Sequence, residues 1–349
     1  DEQARRFRPR TAVVADAEAH SGAAERPGLE WAAGREALLE LCARDDVDVV
    51  VNALVGAAGL EPTLRALEAG KRLALANKES LVAGGPLVER AARSGGGELV
   101  PIDSEHSAIL QCLEGCQRDR VRRIVITASG GPFRGWSRDE LAGVEPADAL
   151  RHPTWSMGAK ITVDSATLAN KALEVIEAHF LYHLGYDAID VVVHPQSIVH
   201  SFVEFVDGSV LAQVGFPTME LPILYALSYP DRVEDPTLQT FDPVKGSPLT
   251  FEEIDREAFP LFDLGVGAGR AGGSAPAIFN AANEIAVGAF LDERIRFTEM
   301  ADVVRATLDA LGPGPVNDAA DVLEVDERAR GAARERVRAL MSMEELEPS

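Results

Sequence analysis

Cysteine is scarce: Cys42, Cys112 and Cys116 are the only three in 349 residues. Three thiols cannot form a disulfide framework, and they fit a reducing compartment, the cytoplasm. Cys112 and Cys116 stand four apart on a predicted helix and read as small packed residues. Positive charge is also short. Five lysines and 29 arginines face 56 acidic residues, for a formal charge of −22. A polyanion is repelled by nucleic acid and by anionic membrane, so neither is an expected partner. Any anionic substrate must then meet a local basic or N–H-rich pocket. The arginine bias points to a GC-rich genome or a salt-adapted surface, and it makes each lysine worth inspecting. No apolar run reaches the roughly 18 residues that span a bilayer. Residues 1–30 lack the apolar core of a signal sequence, and the first residue is Asp1. The chain is therefore expected to be processed or a fragment.

What is present is ordinary for a water-soluble globular protein: 46% hydrophobic and 26% charged residues. The length suits two or three domains, and no internal repeat stands out. Val47–Val55 is a β-branched, nearly all-apolar run, expected as a buried parallel strand. A helix over Glu61–Ala69 ends at Gly70, and further strands are expected over Arg72–Ala76 and Leu99–Ile102, with a helix over Leu81–Ala92 between them. This alternation implies a parallel sheet with helices on both faces. Next come a strand over Val121–Ala128, a short helix over Ser137–Ala142, a non-periodic loop over Arg151–Lys160 and a long helix over Ala166–Leu184. Strands follow over Ala188–His194, Ile198–Val206 and Ser209–Val214, the last two joined by the tight turn Asp207-Gly208. Tyr229–Ser247 reads as a linker. Helices are expected over Pro276–Asp292, Glu299–Leu311 and Leu323–Met341.

Several short stretches carry chemistry. Asp103-Ser104-Glu105 follows a strand end, where sites in open α/β sheets gather. If the backbone stays extended, Asp103 and Glu105 point the same way and suit a hard cation, Mg²⁺ or Mn²⁺; two solvated acids at a strand end explain the pair as well. Asp164 or Ser165 is a natural N-cap for the long helix, and a helix N-terminus binds phosphate. Asn170, Lys171 and Glu174 then share one face, offering amide and ammonium to a phosphate and carboxylate to a metal. A capped amphipathic helix with an internal Lys–Glu pair is the plainer alternative. Ser129-Gly130-Gly131 is a second small-residue anion cradle. Asn77-Lys78-Glu79 stands at the strand edge where cofactor and substrate would meet, or forms a surface ion pair. His152, Trp155 and Met157 lie in the non-periodic loop, which is either a lid or packs on the domain body. His179 and His183 have a zinc-like spacing, but Phe180-Leu181-Tyr182 reads as a packed helix end. His194 in His194-Pro195-Gln196-Ser197 either positions the site or is structural.

Taken in order, Val55-Gly56-Ala57-Ala58-Gly59, Asn77-Lys78-Glu79-Ser80, Asp103-Ser104-Glu105-His106, Ser129 to Phe133, His152 to Gly158, Ser165 to Glu174, His194 to Ser197 and Asn280 to Glu284 resemble the 1-deoxy-D-xylulose 5-phosphate reductoisomerase family. The resemblance runs from about residue 10 to about residue 340. It implies a partial Rossmann-like, NADPH-binding domain over 1–102, an α/β catalytic domain over 103–228, a linker over 229–255 and a C-terminal helical domain over 256–345. It implies one Mg²⁺ or Mn²⁺ on Asp103, Glu105 and Glu174, with a phosphosugar held by Ser129, Ser165, Asn170 and Lys171. Ser104 and Lys78 would contact the substrate hydroxyls, and His152 and Trp155 would cover it. NADPH would lie against Asn77, Lys78, Glu79, Gly158 and Met219; Lys78, Glu105, His152 and Glu174 would carry catalysis, in a homodimer. The family opens on a strand and a G-x-T-G-S-I-G turn that this sequence does not contain, which implies on the order of 30 or more absent residues. Two alternatives stay open: a generic NAD(P)-dependent sugar oxidoreductase, and an inactive fragment that still binds metal and phosphate.

Overall fold

The computed structural model describes residues 2–16, 18 and 28–344. The chain begins with a helix, α1 (Glu2–Phe7), and two parallel strands, β1 (Thr11–Val14) and β2 (Glu30–Ala33). The sequence reading assigned no elements to this segment, whose strands are too short and too polar at their ends to stand out. Helix α2 (Arg35–Ala43) leads to a second parallel sheet, β3 (Val49–Asn52), β4 (Arg72–Leu75) and β5 (Glu98–Pro101). Its crossovers are α3 (Leu60–Glu68) and α4 (Lys78–Gly95).

The expected parallel alternation is present, but the run Val47–Val55 is not buried along its length. Among the described residues β3 is a sheet edge, four residues long; its Val51 is 50% exposed, and Val55 beyond it 78%. Apolar content without an alternating pattern marks a strand but does not say whether it is central. The central strand is β4, whose Leu73, Ala74 and Leu75 are buried between Leu60, Leu67, Leu81 and Val88 on one side and Val100 and Tyr225 on the other.

Beyond β5 the chain forms α5 (Ser104–Cys112), β6 (Val121–Ala128) and two single-turn helices, α6 (Arg138–Leu141) and α7 (Pro146–Ala149). Then follow α8 (Ala159–Ala166) and α9 (Ala169–Tyr182). Strands β7 (Ile189–Val193), β8 (Val199–Phe205) and β9 (Val210–Val214) complete a four-stranded mixed sheet in the order β7-β6-β8-β9. The hairpin at Asp207-Gly208 pairs β8 and β9 as expected, with Gly208 at φ 86°. Helix α10 (Glu220–Ser228) follows, and the predicted linker that comes next holds neither helix nor strand up to Ser247.

The remainder is helical: α11 (Pro260–Ala271), α12 (Ala275–Leu291), α13 (Met300–Leu311) and α14 (Ala319–Glu344). Leu173, Ile176, Phe279, Phe290 and Val304 share one core with Ile124 and Ile126 of the mixed sheet. Ala277 of α12 and Val322 of α14 reach the core of the parallel sheet. Gly85, at a kink in α4, leaves room for the ring of Phe180 on α9, where a Cβ would come within 2.2 Å. These tails of buried apolar surface hold α4, α5 and α9 together, and the site lies between their ends. Among the described residues no helix is long and apolar enough to cross a membrane.

Candidate active site

One cavity of about 220 Å³ is bounded by Lys78, Asp103, Ser104, Glu105, Ser129, His152, Trp155, Ser165, Asn170, Lys171, Glu174 and Met219, among others. These side chains, singled out from the sequence, thus face one space with Met157, although they come from separate segments.

The route by which the acids converge differs from the strand-alternation reading. The backbone does not stay extended: Asp103 is the N-cap of α5 and accepts from Ser104 N at 3.0 Å. Glu105 lies in the first helical turn. Helical rotation, not pleating, brings Asp103 and Glu105 toward Glu174 of α9. One oxygen from each of the three lies within 4.8 Å of the others. A trio of hard oxygen donors fits Mg²⁺ or Mn²⁺.

The local charge supports the same fit. Lys171 Nζ donates to Glu105 Oε1 at 2.7 Å and to Glu174 Oε2 at 2.5 Å. Lys78 Nζ donates to Asp103 and lies 3.5 Å from Glu174 Oε1. Burial opposes the charge of both lysines, but the carboxylates outweigh it and raise them, Lys78 strongly. Burial also works against Asp103, yet Lys78 holds its carboxyl down at about 2. Glu105 is lowered, with burial opposed by Lys171. Glu174 goes the other way: burial, then the charge of Glu105, push it up to about 7. The cluster therefore carries more negative charge than its two ammonium groups can hold, which is what a cation site needs.

The anion side is also rearranged relative to expectation. Asp164 and Ser165 do not cap a long helix. They lie inside α8, which ends at Thr167, and α9 starts afresh after Leu168 in the left-handed conformation at φ 60°. The break lets Ser165 end one helix while Asn170 and Lys171 begin the next. Ser129 reaches Ser165 because Gly131, at φ 65°, packs its backbone where a Cβ would sit 2.8 Å from Ser165 O. His152 joins the two serines, with Nε2 at 3.0 Å from Ser129 Oγ and 3.2 Å from Ser165 Oγ. Its Nδ1 accepts from Thr154 N and Trp155 N at 3.1 and 2.8 Å. Nδ1 is thereby an acceptor and Nε2 carries the proton. Asn170 Nδ2 donates to Glu174 Oε1 at 2.6 Å, so amide and ammonium both lean toward the acids.

Of the residues expected near the cofactor, Asn77 caps α4 by accepting from Ser80 N at 2.9 Å, and its Nδ2 donates to Leu54 O and Glu79 Oε2. Ala76, Met157, Ile161 and Met219 are among the apolar residues that line the cavity. Gly158 is the exposed N-cap of α8. Trp155 stands over His200, with ring centroids 6.4 Å apart. His194 proves structural: its Nε2 accepts from Ile198 N and Val199 N, and Nδ1 faces Thr250 O at 2.8 Å. His179 and His183 do not converge; one stacks on Tyr186 and the other pairs with Glu89.

Sequence reading missed two neighbours of the acids. Glu177, one turn beyond Glu174, lies 3.6 Å from Lys78 Nζ, and buried His106 lies 3.3 Å from Glu177 Oε2. Their signal was present, since His106 follows Glu105 and Glu177 is three residues from Glu174, but spacing alone did not set them apart from packing residues.

A carboxylate trio for a hard cation, a serine-rich anion cradle beside it and apolar side chains lining the same cavity, next to a parallel α/β sheet, define a metal-assisted enzyme for a small phosphorylated substrate. Family models agree with that class: 1-deoxy-D-xylulose 5-phosphate reductoisomerase matches residues 1–85, its C-terminal domain 99–182, and the DXP reductoisomerase C-terminal domain 214–332. The 1-deoxy-D-xylulose 5-phosphate reductoisomerase of Gloeobacter violaceus is 52% identical over 338 residues, covering 95% of this chain and 86% of the relative. That of Nocardia farcinica is 56% identical over 310 residues, covering 87% and 77%. The Zymomonas mobilis enzyme in complex with NADPH superposes with a TM-score of 0.90 at 44% identity, covering 96% and 88%. A DOX-P reductoisomerase in complex with NADPH, fosmidomycin and magnesium gives a TM-score of 0.90 at 38% identity, covering 97% and 88%. The chain belongs to the 1-deoxy-D-xylulose 5-phosphate reductoisomerase family.

Proposed function

We propose that this chain converts 1-deoxy-D-xylulose 5-phosphate to 2-C-methyl-D-erythritol 4-phosphate, an NADPH-dependent reductive isomerisation in isoprenoid precursor synthesis. The observation that carries this reading is the convergence of Asp103, Glu105 and Glu174 beside Ser129 and Ser165 in one cavity. Asp103, Glu105 and Glu174 hold the divalent cation, Mg²⁺ or Mn²⁺, which supplies Lewis-acid polarisation of a carbonyl and a template for adjacent oxygens. NADPH supplies the hydride, and the apolar lining residues Ala76, Met157 and Met219 suit its flat uncharged ring, with Asn77, Lys78, Glu79 and Gly158 around it.

The protein's own groups do the rest. Ser129, Ser165, Asn170 and Lys171 grip the phosphate, which is remote from the reacting carbons, so its binding can orient the substrate. Ser104 and Lys78 hold hydroxyl groups. The loop carrying His152 and Trp155 excludes water from the carbonyl intermediate. Asp103 and Glu105 keep the site anionic until the cation is bound, and Glu174 joins them as it loses its proton. The exposed edge strand β9, with Val210 and Leu211 outward, supports a homodimer, which light scattering after size exclusion would detect as twice the 37.3 kDa chain mass. The free thiols of Cys42, Cys112 and Cys116 support a reducing, cytoplasmic setting.

The test is NADPH oxidation with 1-deoxy-D-xylulose 5-phosphate and Mn²⁺. Turnover that a chelator abolishes and Mn²⁺ restores is expected, as is loss of most of kcat in Glu174→Gln with an unchanged circular dichroism spectrum. Chelator-resistant turnover would instead favour a generic NAD(P)-dependent sugar oxidoreductase. Failure of NADPH to bind, followed by fluorescence, would favour a fragment without the reductase activity.

A further inference from the structure

Glu177 has no role in the proposed reaction, yet a carboxylate this deeply placed is costly unless it is paired. Its side chain is 5% exposed. Oε2 makes no hydrogen bond among the described residues, and neither ring nitrogen of His106 does either, although they lie 3.3 Å apart. His106 is nonetheless a charge partner: burial opposes its protonation, but the Glu177 carboxylate outweighs that and raises its pKa. The other neighbour of Glu177 is Lys78 Nζ at 3.6 Å. Asp103, His106 and Glu177 do offer atoms within 4.8 Å of one another. The Lys78 ammonium lies against both acids of that group, however, and takes the space a second cation would need.

The consequence concerns what happens to Lys78 when a cation is bound. Its present partners are Asp103 and Glu174. Both belong to the carboxylate trio. If those oxygens hold a divalent ion, Lys78 would lose two hydrogen-bond partners and face a repelling charge beside it. The carboxylate left within reach, outside the trio, is Glu177. Resting on the metal and substrate assignments above, we propose that Glu177 is a positioning residue that takes over Lys78 in the metal-bound enzyme and holds its ammonium toward the substrate hydroxyls.

A crystal structure of the whole chain with Mn²⁺ tests this directly. Lys78 Nζ is expected within about 3.2 Å of a Glu177 oxygen, with anomalous density for Mn²⁺ on the trio. Lys78 turned away from Glu177, or Glu177 itself ligating Mn²⁺, would overturn the proposal. Absence of Mn²⁺ from the trio would overturn the metal assignment first and this inference with it, so the two failures are distinct. A double-mutant cycle at saturating Mn²⁺ gives a second readout. Glu177→Gln should lower kcat/KM about tenfold, Glu177→Asp should recover part of it, and Glu177→Gln added to Lys78→Met should cost almost nothing further, because coupled residues are not additive. Equal losses in both backgrounds would mean that Glu177 acts without Lys78.

Discussion

Lys171 and Glu105, 66 positions apart, meet at 2.7 Å, and the same ammonium reaches Glu174 at 2.5 Å. The lysine proposed for the phosphate is therefore also the counter-ion of two proposed metal ligands. Metal and phosphate binding compete for, and share, one positive charge.

This relationship makes Lys171→Met two-handed. Without metal, the variant leaves buried acids short of a partner. Breaking a buried pair costs roughly 3–5 kcal/mol, part of which Glu174 can avoid by protonating. A melting temperature several degrees lower in chelator is expected. Mn²⁺ should stabilise the variant more than the wild type, since a competing charge is gone, while KM for the phosphorylated substrate rises. Calorimetry with and without Mn²⁺, together with steady-state kinetics, checks both halves; an unchanged KM would remove Lys171 from the phosphate cradle.

His152 should act as an acid-sensitive latch for its loop. Burial lowers its pKa below the ordinary 6.5, and Nδ1 accepts two backbone N–H groups that a protonated ring could not satisfy. The released-loop form protonates at the ordinary value and the latched form only lower. The latch is therefore intact above about 6.5, weakens as pH falls below it, and is lost at the depressed value. With Trp31 and Trp136 replaced by Phe, Trp155 emission should change over that window in the ligand-free protein. Replacing His152 by Asn should flatten the transition.

Gly131→Ala should injure anion binding more than stability. A side chain at φ 65° costs about 1–2 kcal/mol, and its Cβ would press on Ser165 O, parting Ser129 from Ser165. KM for the substrate is expected to rise about tenfold. Gly135→Ala is the control: it shares the positive φ, at 80°, but a Cβ there meets open space. It should lower the melting temperature with KM unmoved.

Thiol titration should resolve the three cysteines in order. Burial, then the nearby Cys116, push the Cys112 thiol up to about 11, and burial raises Cys42. Both side chains are buried, whereas Cys116 is half-buried. In native protein at pH 8, one thiol per chain should react promptly with an aromatic disulfide reagent, and the Cys116→Ser variant should lose that phase.

The sequence by itself determined what depends on near neighbours. The β-branched run before Gly56, the apolar Arg72–Ala76 and the Asp207-Gly208 turn mark strands and a hairpin wherever the rest of the chain lies. The ordered motifs from Val55 to Glu284 pointed to the family, because several short patterns in one order are specific where each alone is not. Tertiary structure decided what depends on packing. That β3 is an edge, and that Asp103 caps a helix instead of extending a strand, follow from which surfaces neighbouring elements cover. The left-handed Leu168, which splits the expected helix and frees Asn170 and Lys171, is sustained by burial and not by its own propensity. Glu177 and Lys78 stand 99 positions apart in the numbering, and Asp164 bonds Asn283 at 2.7 Å across 119. Such pairs have no local period to betray them: a charge becomes functional or structural only when folding removes water and chooses its partner.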